Sequence, residues 1–530
     1  MSIPFKRLGE VGFIGDVLPH ELPPNAWTAG QNIRFTDGYV ERMTGNIPAY
    51  GTPGIAPNWL LPVPAPIDYY WLYASTTAVY CVDSARVHTD ITRLAGPYTG
   101  NLNVNWNGGL LNGIPVINNG VDDPQMWLPT EPSTRLTALT AWPANTKAKV
   151  IRPFKSFLFA LDLQESGNLF PHKVRWSHQA AAGAVPSSWD VADPTVDAGQ
   201  ATLPDTGGYV LDALPLRDSN AVYKEDQIWA FQYIGGAKVF NPVRVANEIG
   251  MLTRDCAAQF YARGLKHAVF GSDDLVVHDG NSVESIADRR VKKWLFNQLS
   301  GENYQRCFVV PNYYSREIWF CFVPLGQTLV TMVLPWSIQT GSFGMVREMP
   351  SIRFAASGIV NDDGGAISWD SDSDPWEGDT SAWDERIYGQ VIRKVLFGVP
   401  GGPTIQYTDQ GNQFAGVNYT SYIERTGIPF ARTDKNGNPE ADVNVRKLCT
   451  ELQPRFEASP GTVIDIYVGA QEDVNEGVTW QGPFPFIVGT HKKINPVVVG
   501  RFLAVKFQSA ANATWKLHEY AMEVKAVGEY

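Results

Sequence analysis

Short alternating apolar runs, each stopped by Asp, Asn, Gly or Pro, recur from residue 68 to residue 369. This feature constrains the fold most, because a stable helix needs apolar residues at a 3.6 spacing sustained over several turns, and these runs end too soon. DYYWLYA (68–74), AVYCV (78–82), GIPVIN (113–118), FLFALDL (157–163), QIWAFQ (227–232), AKVF (237–240), HAVFG (267–271) and LVVH (275–278) all read as strands. Segments 315–323 and 328–334 flank Leu325-Gly326 as a hairpin, and 353–360 and 366–369 flank the turn run Asn361-Asp362-Asp363-Gly364-Gly365. An aromatic share of 12%, with 48 Gly and 37 Pro to punctuate it, completes the signature of an all-β chain with short strands. Helix is expected only at 253–261 (TRDCAAQFY), 285–297 and 301–306, as short connecting pieces.

Some strand–turn units resemble one another: VYCVDSARV (79–87), LVVHDGNSV (275–283), IQYTDQGNQF (405–414) and, more weakly, FLFALDLQESG (157–167). Hairpin sets recurring roughly every 40–50 residues fit four-stranded blades. The expectation is a β-propeller of about five or six blades over residues 66–400, with a pair of β-sandwiches as the alternative. Residues 1–65 precede it as a clasp and connector; within that connector, residues 47–67 carry Pro48, Pro53, Pro57, Pro62, Pro64 and Pro66 and should run extended over a surface. Longer strands at 446–455, 462–470, 483–488, 497–508 and 515–527 make residues 401–530 an antiparallel β-sandwich. In it Ile464, Ile466 and Val468 share a face, and Leu503, Val505 and Phe507 share the more apolar, core side of theirs. A chain of 530 residues is long enough to divide in this way, since single cores stop growing beyond ~250–300 residues.

Charge and motifs exclude more than they select. The net charge is −11, from 43 basic and 54 acidic residues, and the basic ones come at most in pairs such as Arg289-Arg290, so no basic stripe for nucleic acid is present. Cys81, Cys256, Cys307, Cys321 and Cys449 lie far apart, outside CxxC spacing, and read as reduced, mostly buried thiols of a protein assembled in a cytosol. The N-terminal MSIPFKRLGE lacks the apolar centre of a signal peptide, and the most apolar long run, 322–336, is broken by Pro324, Gly326, Gln327 and Pro335. The eight histidines form no HxH or HExxH pattern. Asp370, Asp372 and Asp374 alternate like the start of a calcium loop, but Pro375 stands at its sixth position and Ser381 at its twelfth. The segment 368–385 therefore reads as a solvated acidic loop, with a looser calcium site on Glu377 or Asp379 as the other reading. Asp434-Lys435-Asn436-Gly437-Asn438 reads as a turn. No GxSxG nucleophile motif and no phosphate-binding loop occurs. The one enzyme reading the chain supports is a propeller glycosidase with two carboxylates across its mouth. Its trace is DVNEGVTW (473–480), which keeps Gly477, Thr479 and Trp480 of an Asp-box turn but has Asn475 for the Asp. Tyr69-Tyr70-Trp71 and Trp319-Phe320 could stack sugars or bases, but packing between sheets is the simpler use of such rings.

Residues 15–45, GDVLPHELPPNAWTAGQNIRFTDGYVERMTG, open with a Pro-punctuated loop and a turn of helix at 24–31, then form a hairpin about Thr36-Asp37-Gly38. Alternation places Ile33, Phe35, Tyr39 and Met43 on one side and Asn32, Arg34 and Arg42 on the other. This stretch resembles the N-terminal signature of tail nozzle proteins of short-tailed phages (tail tubular protein B, or packaged-DNA stabilisation proteins). The matching residues are Leu22, Pro23, Pro24, Ala26, Trp27, Asn32, Arg34, Phe35, Asp37, Gly38 and Arg42. VRWSHQAAAGAVPSSWD (174–190) resembles that family's Arg-Trp-Ser…Ser-Trp motif, and residues 467–530 resemble its C-terminal sandwich.

The resemblance implies a structural virion protein without catalysis or cofactor. It would be a homo-hexameric ring at the distal end of the tail, made in the host cytoplasm, which retains packaged DNA and conducts it during ejection. It further implies a propeller body and a platform built from N- and C-terminal segments. The partners would be other copies, the tail adaptor protein, tail fibres or spikes, and transiting DNA. Pro23, Pro24, Trp27, Arg34, Phe35, Asp37 and Gly38 would form an assembly clasp. Within such a ring the acidic loop, with Asp370, Asp372, Asp374, Trp376, Glu377, Asp379 and Trp383, is one candidate for a gate or contact loop, and an exposed loop without such a role is the alternative. The alternatives are a tail-associated propeller glycosidase and a carbohydrate-binding adhesin.

Overall fold

The computed structural model describes residues 2–65, 68–103, 105–131, 133–236, 238–361, 391–433 and 439–529. Strands dominate them, and they fall into seven four-stranded antiparallel sheets and two larger terminal sheets, with two short two-stranded pairs besides. Six of the four-stranded sheets are simple meanders. The first runs Trp59–Pro64, Tyr69–Ala74, Val79–Val82 and His88–Asp90; the second begins at Asn107–Leu111, the third at Thr146–Phe154, the fourth at Val210–Leu216, the fifth at Ala257–Tyr261 and the sixth at Phe308–Asn312. The seventh contains Ala355–Asn361, Val391–Val399 and Thr404–Thr408, and takes its fourth strand, Asn46–Ala49, from the other end of the chain.

The order of the sheets is cyclic. From the second sheet to the seventh, each first strand touches the first strand of the next, and Ala355–Asn361 then touches Trp59–Pro64 of the first sheet. The first and second sheets share a core in which Tyr70 meets Trp127 edge-on at 5.4 Å and Trp106 Nε1 donates to the Ser75 carbonyl at 2.7 Å. Three further gaps are filled likewise: Leu111, Ile151 and Leu158 between the second and third sheets, Phe159, Phe231 and Phe240 between the third and fourth, Trp71, Val360 and Leu396 between the seventh and first. Burial on both faces explains why strands such as Phe157–Glu165 read as continuous apolar runs.

The terminal sheets are woven from both chain ends. In the six-stranded sheet Val498–Gly500, Val445–Ala458, Trp515–Glu529, Tyr39–Arg42 and Ile33–Thr36 lie side by side, and Ser2–Phe5 also pairs with Trp515–Glu529. In the five-stranded sheet Ala29–Gln31 is followed by Ser421–Ile428, Phe502–Ser509, Val463–Gln471 and Thr479–Ile487. The two sheets meet through Phe456, which lies 5.6 Å from Phe486 and 5.7 Å from Phe507, and through Phe507 against Tyr520 at 5.4 Å.

The chain is all-β, as its pattern predicts, and several details differ. Seven four-stranded sheets replace the five or six expected units. The Pro-rich connector contains two strands, and Trp59, Leu60 and Val63 in it are buried. Boundaries at residues 65 and 400 therefore cut through the first and seventh sheets. The helix expected at 253–261 is instead the strand Ala257–Tyr261, whose pairing with Leu265–Phe270 overrides the helical preference of its alanines. Of the other two expected helices, the one at 285–297 is observed at Lys292–Gln298 and the one at 301–306 is a 3-10 turn, Tyr304–Arg306. No helix turn forms at 24–31; the turn sits earlier, at Pro19–Glu21.

Candidate functional site

The clasp sits where the terminal sheets meet the sixth and seventh sheets. Its backbone is bonded to residues preceding Arg347–Ile352, with Met345 N donating to Ile33 O at 2.9 Å and Asn32 N to Val346 O at 2.8 Å. Asp37 and Gly38 both have positive φ, 45° and 86°, and pair Thr36 with Tyr39 in a two-residue turn. Cross-strand partners share a face, so Ile33, Phe35, Val40 and Arg42 lie together, and Arg34 lies with Thr36, Tyr39 and Glu41. The expected facing of Tyr39 and Arg42 is thus reversed, because it assumed a three-residue turn.

Arg34 is the centre of the clasp. Its guanidinium makes a two-pronged contact with Glu317 (Nε to Oε1 2.9 Å, Nη2 to Oε2 3.2 Å) and a third bond to Asp409 Oδ1 at 3.0 Å. Glu317 also accepts from Trp319 Nε1 at 2.8 Å and Ser315 Oγ at 3.1 Å. Asp409 accepts from Asn312 Nδ2 at 2.7 Å, Thr408 Oγ1 at 3.0 Å and Thr44 Oγ1 at 3.2 Å. Burial works against the charge on Arg34, but the two carboxylates outweigh it and raise its pKa; burial likewise disfavours ionised Asp409, and Arg34 with Arg347 holds it below the usual carboxylate range. A buried cluster this fully bonded fixes geometry, and losing one partner would strand the others.

Three further polar residues fasten the same stretch. Arg42 donates to the carbonyls of Ala513 (2.6 Å), Asn412 and Tyr419 (both 3.2 Å) and lies 4.2 Å over the Tyr419 ring. Arg425 donates to Pro19 O at 2.7 Å and Leu22 O at 3.1 Å, and burial lowers its pKa to about 10. Trp27 is buried against Phe507 and Tyr520 and donates to Leu8 O at 2.8 Å. Of the seven clasp residues, Trp27, Arg34 and Phe35 are therefore committed inside the chain; Pro23 and Asp37 are exposed, and Pro24 and Gly38 are half-buried. Joining the chain ends accounts for the buried three, and any surface that the clasp offers to another subunit comes from the other four. The gate-loop residues Asp370, Asp372, Asp374, Trp376, Glu377, Asp379 and Trp383, and the turn at 434–438, lie outside the described residues.

Two buried clusters have no local sequence signal. Arg152, on the first strand of the third sheet, binds Asp212 of the fourth (2.6 and 2.8 Å), Asp255 just before the fifth (2.5 Å) and Gly108 O of the second (3.0 Å). One guanidinium thus ties four successive sheets. Between the fourth and fifth sheets, Tyr223 Oη lies 2.6 Å from His267 Nδ1 and 2.8 Å from His278 Nε2. His267 Nε2 faces Pro215 O at 2.8 Å, so it carries the proton, and its Nδ1 accepts from Tyr223. Tyr223 then accepts from His278 Nε2–H, leaving His278 Nδ1 buried and unpartnered among the described atoms. Burial lowers the two histidines to about 3 and about 4. The two histidines are direct cross-strand partners.

The remaining sequence features have structural uses. All five cysteines are free and buried, and burial raises the Cys81, Cys307 and Cys449 thiols to about 12. DVNEGVTW forms the connection between two strands of the five-stranded sheet, with Gln471 Nε2 donating to Glu476 O at 2.8 Å and Asp473 O at 3.1 Å. Trp71 donates to Ile359 O at 3.0 Å across the seventh and first sheets, and Trp319 belongs to the Arg34 cluster. Among the described residues no group of three or more His, Cys, Asp or Glu could hold a metal ion, and no helix is long and apolar enough to cross a membrane.

No family model matches the chain, and no curated protein sequence matches it. Among solved structures it is similar to PorZ, an essential bacterial surface component of the type-IX secretion system of Porphyromonas gingivalis, with a TM-score of 0.33 and 8% identity. That alignment covers 71% of this chain and 42% of PorZ, so the chain spans less than half the length of that protein. A likeness at this level carries no argument about fold or function.

Proposed function

We propose that this chain is a structural tail protein of a short-tailed phage, one subunit of a distal nozzle ring that retains packaged DNA and conducts it during ejection. In this reading the seven four-stranded sheets are the blades of a β-propeller, closed by the N-terminal strand Asn46–Ala49. The two terminal sheets are a β-sandwich platform, and the role is mechanical. The observation that carries the proposal is the weaving of residues 2–49 into both units: the nozzle-like sequence signature falls on the segment that joins the chain ends. Radial closure of small sheets is a way to protect their edges. The test is to assemble phage particles lacking this chain. The proposal predicts filled heads that lose their DNA and fail to infect; particles that keep their DNA and infect normally would overturn it.

A further inference from the structure

We propose that a recess between the first and second sheets, lined on one side by Arg353, binds a doubly charged tetrahedral oxyanion such as phosphate. Its lining comes from connections at one rim of the sheets. Asn58 precedes the first sheet, Thr76 lies in the turn between that sheet's second and third strands, Gly100 and Asn105 lie on the loop to the second sheet, and Arg353 precedes the seventh. The loop lies tight on the turn, since a Cβ on Gly100 would come within 2.5 Å of Thr76 O. Arg353 is 8% exposed and donates Nη1 to Leu102 O at 2.9 Å, its one hydrogen bond among the described residues. Arg306 reaches the same loop, donating Nη2 to Asn103 Oδ1 at 3.1 Å and Nη1 to Thr328 O.

Two observations say that this pair awaits an anion. Among the described residues neither guanidinium has a carboxylate partner. Burial and the like charge of Arg306 push Arg353 below its ordinary pKa, and no acid offsets them. A cation buried without a counter-ion is costly. Elsewhere the chain avoids that cost or spreads it. Arg34 holds two carboxylates, and Arg42 and Arg425, which hold none, bond four and three carbonyls. The second observation is that Arg353 shares its recess with other unspent polar groups. The side chains of Asn58, Thr76 and Asn105 make no hydrogen bond among the described residues.

Charge selects the ligand. Two guanidiniums without a carboxylate leave two positive charges, which one dianion balances and acetate or chloride does not. Guanidinium forks match the oxygens of phosphate, and amide and hydroxyl groups supply neutral donors for the rest. The neighbouring acids are occupied or face water: Asp122 accepts from Arg93 at 2.9 Å and from Thr99 N at 2.8 Å, and Glu302 is exposed. Val104, the one residue of the loop outside the described ones, is uncharged. Residues 362–390, also outside them and carrying nine acids, join the far end of Ala355–Asn361, whose seven residues at about 3.3 Å each separate that end from Arg353.

The test is phosphorus NMR of inorganic phosphate titrated with the full-length protein at fixed ionic strength and about pH 8, where phosphate is doubly charged. The expected result is saturable line broadening that sulfate reverses and acetate does not. Arg353→Gln and Arg306→Gln should each weaken binding about tenfold, as loss of a charged hydrogen-bond donor predicts. Asn58→Ala keeps both cations and every described hydrogen bond of the loop, and should weaken binding about threefold. Glycerol 1-phosphate separates the two sources of the anion: equal binding means a phosphate end group is accepted, and binding of inorganic phosphate alone means a free ion, both in support of the proposal. Equal binding by the parent and Arg353→Gln, or displacement by acetate as effective as by sulfate, would overturn it. So would the absence of saturable binding, which would mean that the chain supplies the counter-ion itself.

Discussion

Arg34 and Arg263 are the same residue type in opposite circumstances. Arg34 is buried and bonded to two carboxylates brought from 283 and 375 residues away in the chain. Arg263 stands exposed on a left-handed turn at the rim of the fifth sheet. The first is saturated by its own chain, so its role ends in holding the chain ends against the sixth and seventh sheets. The second gives the fold nothing that a smaller turn residue would not give better. The contrast separates a guanidinium that the fold uses from one that it leaves in solvent.

Substitutions should break this contrast in a fixed order. Arg34→Met leaves Glu317 and Asp409 buried without their cation and should lower stability by about 3–5 kcal/mol, read from the midpoint of urea unfolding. Adding Glu317→Gln and Asp409→Asn to it should recover a large part of that loss; if Arg34→Met alone is harmless, the clasp is not held as described. The Tyr223 cluster is read through pH instead. His267 and His278 titrate near 3 and 4 when folded and near 6.5 when unfolded. Between those values the unfolded chain binds the extra protons, so stability should rise with pH, by about 1.4 kcal/mol per pH unit for each histidine. Unfolding midpoints measured from pH 7 down to about 4 should fall along that slope, and His267→Gln with His278→Gln should flatten it. Asp409, whose folded pKa is depressed, stabilises the fold throughout the pH range above that of ordinary carboxylates, and that stabilisation is lost only as the pH falls below it and the carboxylate protonates. Arg263→Asn should be the smallest perturbation, within about 0.5 kcal/mol of the parent or slightly stabilising. A large loss there would mean that the exposed arginines are structural after all.

The class of the fold was legible because period-2 alternation and turn residues survive in nearly every unit. What escaped has physical reasons. Pro48, Pro62 and Pro64 hid two strands, since proline reads as a connector although an outer strand such as Asn46–Ala49 tolerates it. The second sheet was undercounted because its last two strands, Gln125–Met126 and Thr137–Ala138, have two residues each and carry no period. At 253–261 an alanine pair outweighed the alternation of Cys256, Ala258 and Phe260, all buried and the last two within the strand that forms. The clasp was found as a motif, but its chemistry was not, because Glu317 and Asp409 meet Arg34 only once the sixth and seventh sheets lie against the chain ends.

The assembly itself tests the account most directly. Electron-microscope images of the assembled full-length chain, each copy 58.5 kDa, should show a six-fold ring of elongated subunits around an open channel. A monomer in the assembled tail, or a three-fold spike without a channel, would contradict the nozzle reading.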